Sequence, residues 1–314
     1  MQHRIGFMFP GQGAQYVGMG RELYDCYDEV RELFDRADEV LGKSISRICF
    51  EGPEDELVKT ENTQPAILLV STAVLKVLAK HSIKPAMAAG LSLGEYGALV
   101  AADAIAFEDA LPLVMKRGQF MQRTVPLGEG MMAAVLGLER EKVEECCSMA
   151  GDTGVVEPAN YNCPGQIVIS GQVAAVQKAC AIAKDMGAKR TVLLSVSAPF
   201  HCSLLKPAGE ELKKELDKID IRDPEIPVIS NVEALPARDA AHIRRLLVQQ
   251  VSSPVRWEDS IRYMIKCGIE IFIEVGPGKV LNGFLKKISN KVKGYNVEDL
   301  KSLRRTIEEL GGTL

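Results

Sequence analysis

Residues Gly90-Leu91-Ser92-Leu93-Gly94 form a G-x-S-x-G pentapeptide between an apolar run, 86–89, and a segment that suits a helix, 95–102. A pentapeptide of this kind is typical of a sharp strand-to-helix turn that exposes one serine hydroxyl. Its glycines have no Cβ atom, so the strained backbone around the serine can form. The pattern predicts that Ser92 is a nucleophile at the end of a buried strand; a purely structural turn is the alternative.

A reactive serine needs a base, and the chain contains four histidines. His3 is close to the N-terminus, His81 ends a helical stretch, and His242 lies on a charged helix. His201 instead stands in a proline-containing loop, 197–202, directly after a strand-like segment. Because α/β proteins place catalytic groups in such loops, we predict that His201 is the base. A structural histidine with satisfied hydrogen bonds is the alternative.

The order of segments predicts the fold class. Strand-like and helical patterns alternate as βαββαβ between residues 131 and 196, which is the order of a ferredoxin-like subdomain. The flanking parts are helix-rich with short strands, as expected for a mainly parallel sheet wrapped by helices. We therefore predict an α/β fold with an α/β-hydrolase-like core (1–127 and 198–314) and an inserted ferredoxin-like subdomain (128–197). Ser92 and His201 then meet in the cleft between the two domains.

The short strands of the core are predicted from apolar runs between helical patterns. They are expected at 5–9, 86–89, 228–230 and 269–274. Beyond residue 280 only helical patterning is visible, with Asn296 as the predicted N-cap of a helix that begins at 297.

Composition excludes several classes of protein. The net charge of −4 argues against nucleic-acid binding, for which a strongly basic domain is expected. No signal-peptide pattern is visible, and the longest apolar stretch, 66–79, is interrupted by Ser71, Thr72 and Lys76, which indicates a packed helix rather than a membrane span. The eight cysteines form no C-x-x-C pair, which favours reduced thiols in a cytoplasmic protein over disulfides or a zinc site.

Six separated motifs occur together in one order and spacing. They are FPGQGAQ at 9–15, GLSLGEY at 90–96, Arg117-Gly118, NYNCPGQ at 160–166, Phe200-His201, and Gln250 with PVRW at 254–257. In this arrangement the chain resembles the malonyl-CoA:acyl-carrier-protein transacylases, to about residues 276–278. Several motifs in register are far more specific than any one of them.

The resemblance implies a ping-pong acyl transfer by a Ser-His dyad. Ser92 would attack malonyl-CoA and His201 would act as general base, oriented by a main-chain carbonyl near Gln250 rather than by a carboxylate. The amides of Gln12 and Leu93 would stabilise the oxyanion.

The resemblance also assigns residues to the acyl group. Arg117 would bind the free malonyl carboxylate, a contact for which a guanidinium is suited; a solvated surface arginine is the alternative. Asn162 would hold the His201 loop or the acyl pocket, unless it is simply a turn former. Phe200 resembles a phenylalanine that accompanies malonyl preference in related polyketide acyltransferase domains, where it fills the space of an α-methyl branch. The chain departs from the family at Leu91, where histidine is most common.

The expected partners follow from the same resemblance. They are malonyl-CoA and an acyl carrier protein whose phosphopantetheine thiol accepts the malonyl group, in fatty acid or polyketide synthesis. No metal, bound redox cofactor, nucleic acid or membrane is expected, and a monomer is favoured. Two other functions stay open. A serine esterase or thioesterase shares the elbow and the base but has no use for a carboxylate-binding Arg117, and a catalytically idle carrier-protein docking module would not be acylated on Ser92.

Overall fold

Two β-sheets and the helices that cover them make up the protein, in a computed structural model that describes residues 4–194, 196 and 198–311. Within these residues the strands are β1 (Ile5–Phe9), β2 (Met87–Gly90), β3 (Gly130–Leu136), β4 (Val156–Cys163), β5 (Gln166–Gln172), β6 (Arg190–Leu193), β7 (Val228–Ile229), β8 (Ile271–Val275) and β9 (Lys293–Val297). The α-helices are α1 (Arg21–Cys26), α2 (Asp28–Leu41), α3 (Ile45–Glu51), α4 (Glu54–Leu57), α5 (Thr60–Lys80), α6 (Gly94–Ala101), α7 (Phe107–Thr124), α8 (Arg140–Ala150), α9 (Val173–Asp185), α10 (Lys206–Leu216), α11 (Ala240–Gln250), α12 (Trp257–Lys266), α13 (Val280–Ile288) and α14 (Leu300–Glu309).

The larger sheet has the order β7-β2-β1-β8-β9, and all its neighbouring strands are parallel. Side chains of β1 alternate between two cores, with Phe7 and Phe9 in one and Met8 in the other, so helices bury both faces. Phe9 pairs with Gly90 at the carboxyl ends of β1 and β2. The turns that follow these two strands, which carry Gln12 and Ser92, are therefore neighbours.

The smaller sheet is antiparallel, with the order β4-β5-β3-β6. Helices α8 and α9 pack on it and share a separate hydrophobic core with its strands. The chain order β3-α8-β4-β5-α9-β6 confirms the predicted ferredoxin-like pattern, and these elements lie inside the predicted insertion, 128–197. The domain limits themselves stay a prediction. The last strand of this pattern, predicted to reach residue 196, ends at Leu193. Residues 195 and 197, which follow it, lie outside the described residues, as does His3.

The C-terminal region differs from the prediction. Only helices were expected beyond residue 280, yet β9 adds a parallel edge strand beside β8. Asn296 lies in this strand and is not an N-cap. The N-cap of α14 is Asp299, which accepts a hydrogen bond from the backbone of Ser302 while the Ser302 hydroxyl accepts one from the backbone of Asp299. The sequence of β9 (KGYNV) is polar because an edge strand is half-exposed, so its pattern gave no strand signal.

The longest helix, α5, is a core helix. It is long and apolar enough to cross a membrane, but 83% of its apolar window is buried inside the protein. It packs mainly against α2, α3, α6 and α7, so it forms the packed helix that was predicted at 66–79.

Two glycines allow α6 to lie directly against the central strands. A Cβ atom on Gly94 would be 2.1 Å from the carbonyl oxygen of Phe9, and one on Gly90 would be 1.9 Å from the carbonyl oxygen of Gly94. Both neighbours are backbone atoms, which cannot rotate away as a side chain can. Between the glycines Ser92 has a φ of 53°, in the left-handed region that costs energy for a residue with a side chain. The predicted strand–turn–helix is therefore present and tightly packed.

We expect Gly94→Ala to lower the free energy of unfolding by about 3 kcal/mol or more, because the new methyl group forces α6 away from β1. Gly283 on α13 provides the matched control, since it is exposed and nothing lies within 4 Å of an added Cβ. Gly283→Ala should stabilise the protein by about 0.5–1 kcal/mol. Urea unfolding of both variants measures the difference; equal stabilities would contradict the tight contact at Gly94.

Candidate active site

A cavity of about 240 Å³ lies at the carboxyl ends of β1 and β2, beneath the antiparallel sheet. The antiparallel sheet contributes Met132, Asn160 and Val168 to its walls. Most residues that were predicted from the sequence to act in catalysis or binding line this cavity: Gln12, Ser92, Leu93, Arg117, Asn162, Phe200 and His201. Gln250, at the end of α11, is fully buried and contacts Ser92, Arg117 and His201.

Ser92 and His201 are in direct contact. The Oγ atom of Ser92 lies 2.6 Å from Nε2 of His201, and Nδ1 of His201 lies 2.9 Å from the main-chain carbonyl oxygen of Gln250. Because a carbonyl oxygen only accepts, Nδ1 carries the ring proton and donates a hydrogen bond to the main-chain carbonyl of Gln250. The lone pair of Nε2 then accepts the hydroxyl proton of Ser92. The structure thus brings together the predicted dyad and the predicted orienting carbonyl.

The imidazole of His201 is neutral near neutral pH. Its side chain is buried, and this burial lowers the pKa of His201 to about 4. The positive charge of Arg117 acts in the same direction, while the hydrogen bond to the Gln250 carbonyl opposes both. A neutral ring with a free Nε2 lone pair is the form that can accept a proton from Ser92.

Arg117, on α7, places a buried positive charge beside Ser92. Its Nη1 donates to Oε1 of Gln64 at 2.8 Å, and its Nη2 donates to Oε1 of Gln250 at 2.9 Å and to Oγ of Ser92 at 3.1 Å. These acceptors are neutral, and no carboxylate among the described residues is within ion-pair distance of Arg117. Its Nε has no hydrogen-bond partner in the described part of the chain. A buried guanidinium without an anion favours an anionic ligand in the adjacent cavity.

Sequence reasoning assigned no role to two residues that support Ser92 from below. Asn231, just after β7, accepts a hydrogen bond from the Ser92 amide at 2.7 Å and donates one to the Gly90 carbonyl at 2.6 Å. Glu95, in the first turn of α6, accepts a hydrogen bond from Nε2 of Gln250 at 2.6 Å and one from the backbone N–H of Asn231 at 3.1 Å. Burial raises the pKa of Glu95 to about 7, although these hydrogen bonds oppose the shift. The one available signal for Asn231 was its position after a predicted strand.

The amides of Gln12 and Leu93 are available as donors. Gln12 lies in the turn after β1, and Leu93 is the N-cap residue of α6, where backbone N–H groups point out of the helix. Neither amide donates a hydrogen bond to any acceptor within residues 4–194, 196 and 198–311. Both residues line the cavity beside Ser92, so the two N–H groups can stabilise negative charge there.

One alternative for Asn162 needs correction. Asn162 lies in β4 and not in a Pro-Gly turn, so its interpretation as a turn former is wrong. Its Oδ1 is buried without a partner in the part of the chain that the structure describes, and no hydrogen bond to the His201 loop is present there. Asn162 lines the cavity instead, together with the buried Phe200. Leu91 is partly buried beside the cavity and packs against apolar neighbours.

Comparison with known proteins finds similarity to acyl transferases over nearly the whole chain. The profile of the family described as acyl transferase domain matches residues 6–308. The malonyl CoA-acyl carrier protein transacylase of Bacillus subtilis (strain 168) is 48% identical over 308 residues, which cover 98% of this chain and 97% of the relative. The protein of the same name from Haemophilus influenzae is 43% identical and covers 98% of this chain and 99% of its own length.

Solved structures agree with these relatives. A malonyl CoA-acyl carrier protein transacylase from Clostridium perfringens is 49% identical, with a TM-score of 0.96 over 98% of this chain and 97% of that one. A malonyl-transacylase solved in complex with its type II PKS acyl-carrier protein is 40% identical, with a TM-score of 0.95 over 98% of this chain and 99% of that one. The likeness covers every element that carries a predicted site residue, from Gln12 to Gln250.

Proposed function

The chain belongs to the malonyl CoA-acyl carrier protein transacylases of the acyl transferase family, and from this premise we propose that it transfers malonyl groups through an ester of Ser92. The donor is malonyl-CoA, and the acceptor is the phosphopantetheine thiol of an acyl carrier protein. The observation that carries the proposal is the position of the Ser92 hydroxyl, 2.6 Å from the base nitrogen of His201 and 3.1 Å from the guanidinium of Arg117. One hydroxyl thus faces both a neutral base and an anion-binding group.

In the first half-reaction, Oγ of Ser92 attacks the thioester carbonyl as its proton moves to Nε2 of His201. The amides of Gln12 and Leu93 stabilise the oxyanion of the tetrahedral intermediate. The carbon–sulfur bond then breaks, the proton on Nε2 goes to the sulfur of CoA, and malonyl-Ser92 is left. In the second half-reaction the carrier thiol gives its proton to His201, attacks the ester, and Ser92 recovers a proton as it leaves.

The acyl group is selected by residues around the same hydroxyl. Arg117 binds the free carboxylate of the malonyl group, because it is a buried cation that pairs with neutral acceptors alone among the described residues. Phe200 fills the space that an α-methyl branch would need, and Asn162 lines the pocket with an oxygen that has no hydrogen-bond partner among the described residues. Leu91 supplies apolar packing beside the nucleophile turn.

The remaining features of the proposal concern partners and setting. The proton transfers and charge stabilisation described above require no metal or bound redox cofactor, and none is proposed. We propose a cytoplasmic monomer that binds malonyl-CoA and the carrier protein in turn, without a nucleic-acid or membrane partner.

Ser92→Ala should abolish acylation, because it removes the attacking oxygen and little packing. Intact-mass analysis after mixing with malonyl-CoA should show one malonyl adduct on the wild type, lost on addition of carrier protein, and none on Ser92→Ala. Ser148→Ala, an exposed serine on α8, is the control and should be acylated normally.

Other outcomes of that experiment identify the competing functions. Steady release of CoA without an acceptor thiol would indicate an esterase or thioesterase. A wild-type protein that binds carrier protein but is never acylated would indicate a docking module. A malonyl adduct on Ser92→Ala would falsify the mechanism.

Arg117→Ala should lower kcat/KM for malonyl transfer by about 30-fold or more, because the substrate carboxylate loses its buried partner. Acetyl transfer should be spared or increased, since a neutral acyl group makes no such contact. Arg123→Ala on the same helix is the control, because Arg123 is exposed and pairs with Glu211 at the surface. Equal losses for malonyl and acetyl transfer would show that Arg117 is structural.

The acylation rate should stay nearly constant as the pH falls from 7.5 to 5.5, because the lowered pKa of His201 keeps its ring neutral. At the ordinary histidine pKa near 6.5, only about a tenth of the rings would be neutral at pH 5.5. Glu95 titrates in this range, but protonation of its Oε1 leaves both hydrogen bonds to Oε2 in place. Rapid-quench measurement of single-turnover acylation tests this. A fall of about tenfold with a midpoint near pH 6.5 would rule out the neutral buried base.

A further inference from the structure

The side-chain amide of Gln250 has one orientation that satisfies its contacts. Its Nε2 lies 2.6 Å from Oε2 of Glu95 and 3.0 Å from the carbonyl oxygen of Ser92, and its Oε1 lies 2.9 Å from Nη2 of Arg117. A main-chain carbonyl only accepts and a guanidinium only donates, so the opposite orientation would leave unmatched pairs. Gln250 is fully buried, and such pairs would be costly there.

Glu95 is the residue that connects this amide with the turn of the nucleophile. It is buried, and it stands three residues after Ser92, so its carboxylate lies beneath the turn. One oxygen, Oε2, accepts from Gln250 and from the amide of Asn231. Asn231 in turn holds the amide of Ser92 and the carbonyl of Gly90. A single acceptor atom thus binds both Gln250, which contacts Arg117, and Asn231, which holds the turn of Ser92.

We propose that Glu95 is a positioning residue whose Oε2 sets the Gln250 amide, and through it the guanidinium of Arg117, for malonyl transfer. The inference rests on the proposed function, in which Arg117 binds the malonyl carboxylate. Without an acceptor at this point, the Gln250 amide keeps only its contacts with Ser92 and Arg117, so its Oε1 is held less firmly against Nη2 of Arg117. A neutral acyl group does not use Arg117, so the effect appears in the ratio of malonyl to acetyl transfer.

Two conservative variants separate the position of the acceptor from its charge. Glu95→Gln keeps a carbonyl oxygen at the same distance from the backbone, whereas Glu95→Asp keeps the charge but withdraws the oxygen by one methylene group. We expect Glu95→Gln to keep the ratio of malonyl to acetyl kcat/KM within about threefold of the wild type. Glu95→Asp should lower malonyl kcat/KM by about tenfold or more and the ratio by at least about fivefold.

A double variant tests whether Glu95 acts through Gln250. Gln250→Met removes the side-chain amide but keeps the main-chain carbonyl that contacts His201. If Glu95 acts on Arg117 through Gln250, Gln250→Met alone lowers the ratio of malonyl to acetyl kcat/KM. Adding Glu95→Asp then lowers this ratio by less than about twofold more, because the two changes break one chain of contacts. Glu144→Asp is the control, since this carboxylate binds the Tyr161 hydroxyl on the antiparallel sheet.

The outcomes that overturn the inference differ from those that overturn the proposed function. A Glu95→Asp enzyme with the wild-type ratio, equal losses of malonyl and acetyl transfer, or fully additive effects in the double variant would each contradict it. If Glu95→Asp does not fold, Glu95→Gln still decides, because a change in its ratio beyond about threefold shows that charge and not acceptor position matters. A wild-type protein that forms no malonyl ester contradicts the proposed function instead.

Discussion

The site depends on the close approach of two backbones, the turn at Gly90–Gly94 and the end of β1. With no Cβ atom on either glycine, α6 begins directly against the Phe9 carbonyl, and the turn after β1 lies beside the nucleophile turn. This contact places the turn of Ser92 beside the amides of Gln12 and Leu93, which donate to no acceptor in the described part of the chain. A wider separation would leave both amides out of reach of a common oxyanion.

Around this turn, charges are separated by neutral amides. The Gln250 side chain stands between Arg117 and Glu95, donating to the carboxylate and accepting from the guanidinium. In a direct ion pair the carboxylate would neutralise the guanidinium, and little attraction would remain for a second anion. The amide instead satisfies both groups and leaves the positive charge facing the cavity, where it adds to burial in lowering the pKa of His201. Burial makes this arrangement effective, because charges in a dry site act strongly on one another.

Sequence motifs predicted the parts of the site that depend on local backbone. The G-x-S-x-G pattern, the loop after a strand at His201 and the βαββαβ order each have a direct conformational cause, and the structure contains all three. Contacts between distant segments were harder to predict from the sequence. Asn231 is one asparagine in a loop, and nothing in its neighbours indicates that it will hold the Ser92 amide 139 residues away. The turn-former alternative for Asn162 and the N-cap prediction for Asn296 failed for a related reason: strand pairing, which the local pattern does not show, overrode their turn and cap propensities.

The position of β1 in the centre of the parallel sheet has a consequence for the synthesis of the chain. Residue Ile5 pairs with Ile271, so β1 waits for β8, which is made much later, before its second edge is covered. Such a topology has high contact order, and closing so long a loop slows folding. The residues around Ser92 come from segments as distant as Gln12 and Gln250, so a nascent chain holds none of the assembled chemistry until most of it has left the ribosome. In the interval, the unpaired edge of β1 is a site prone to aggregation.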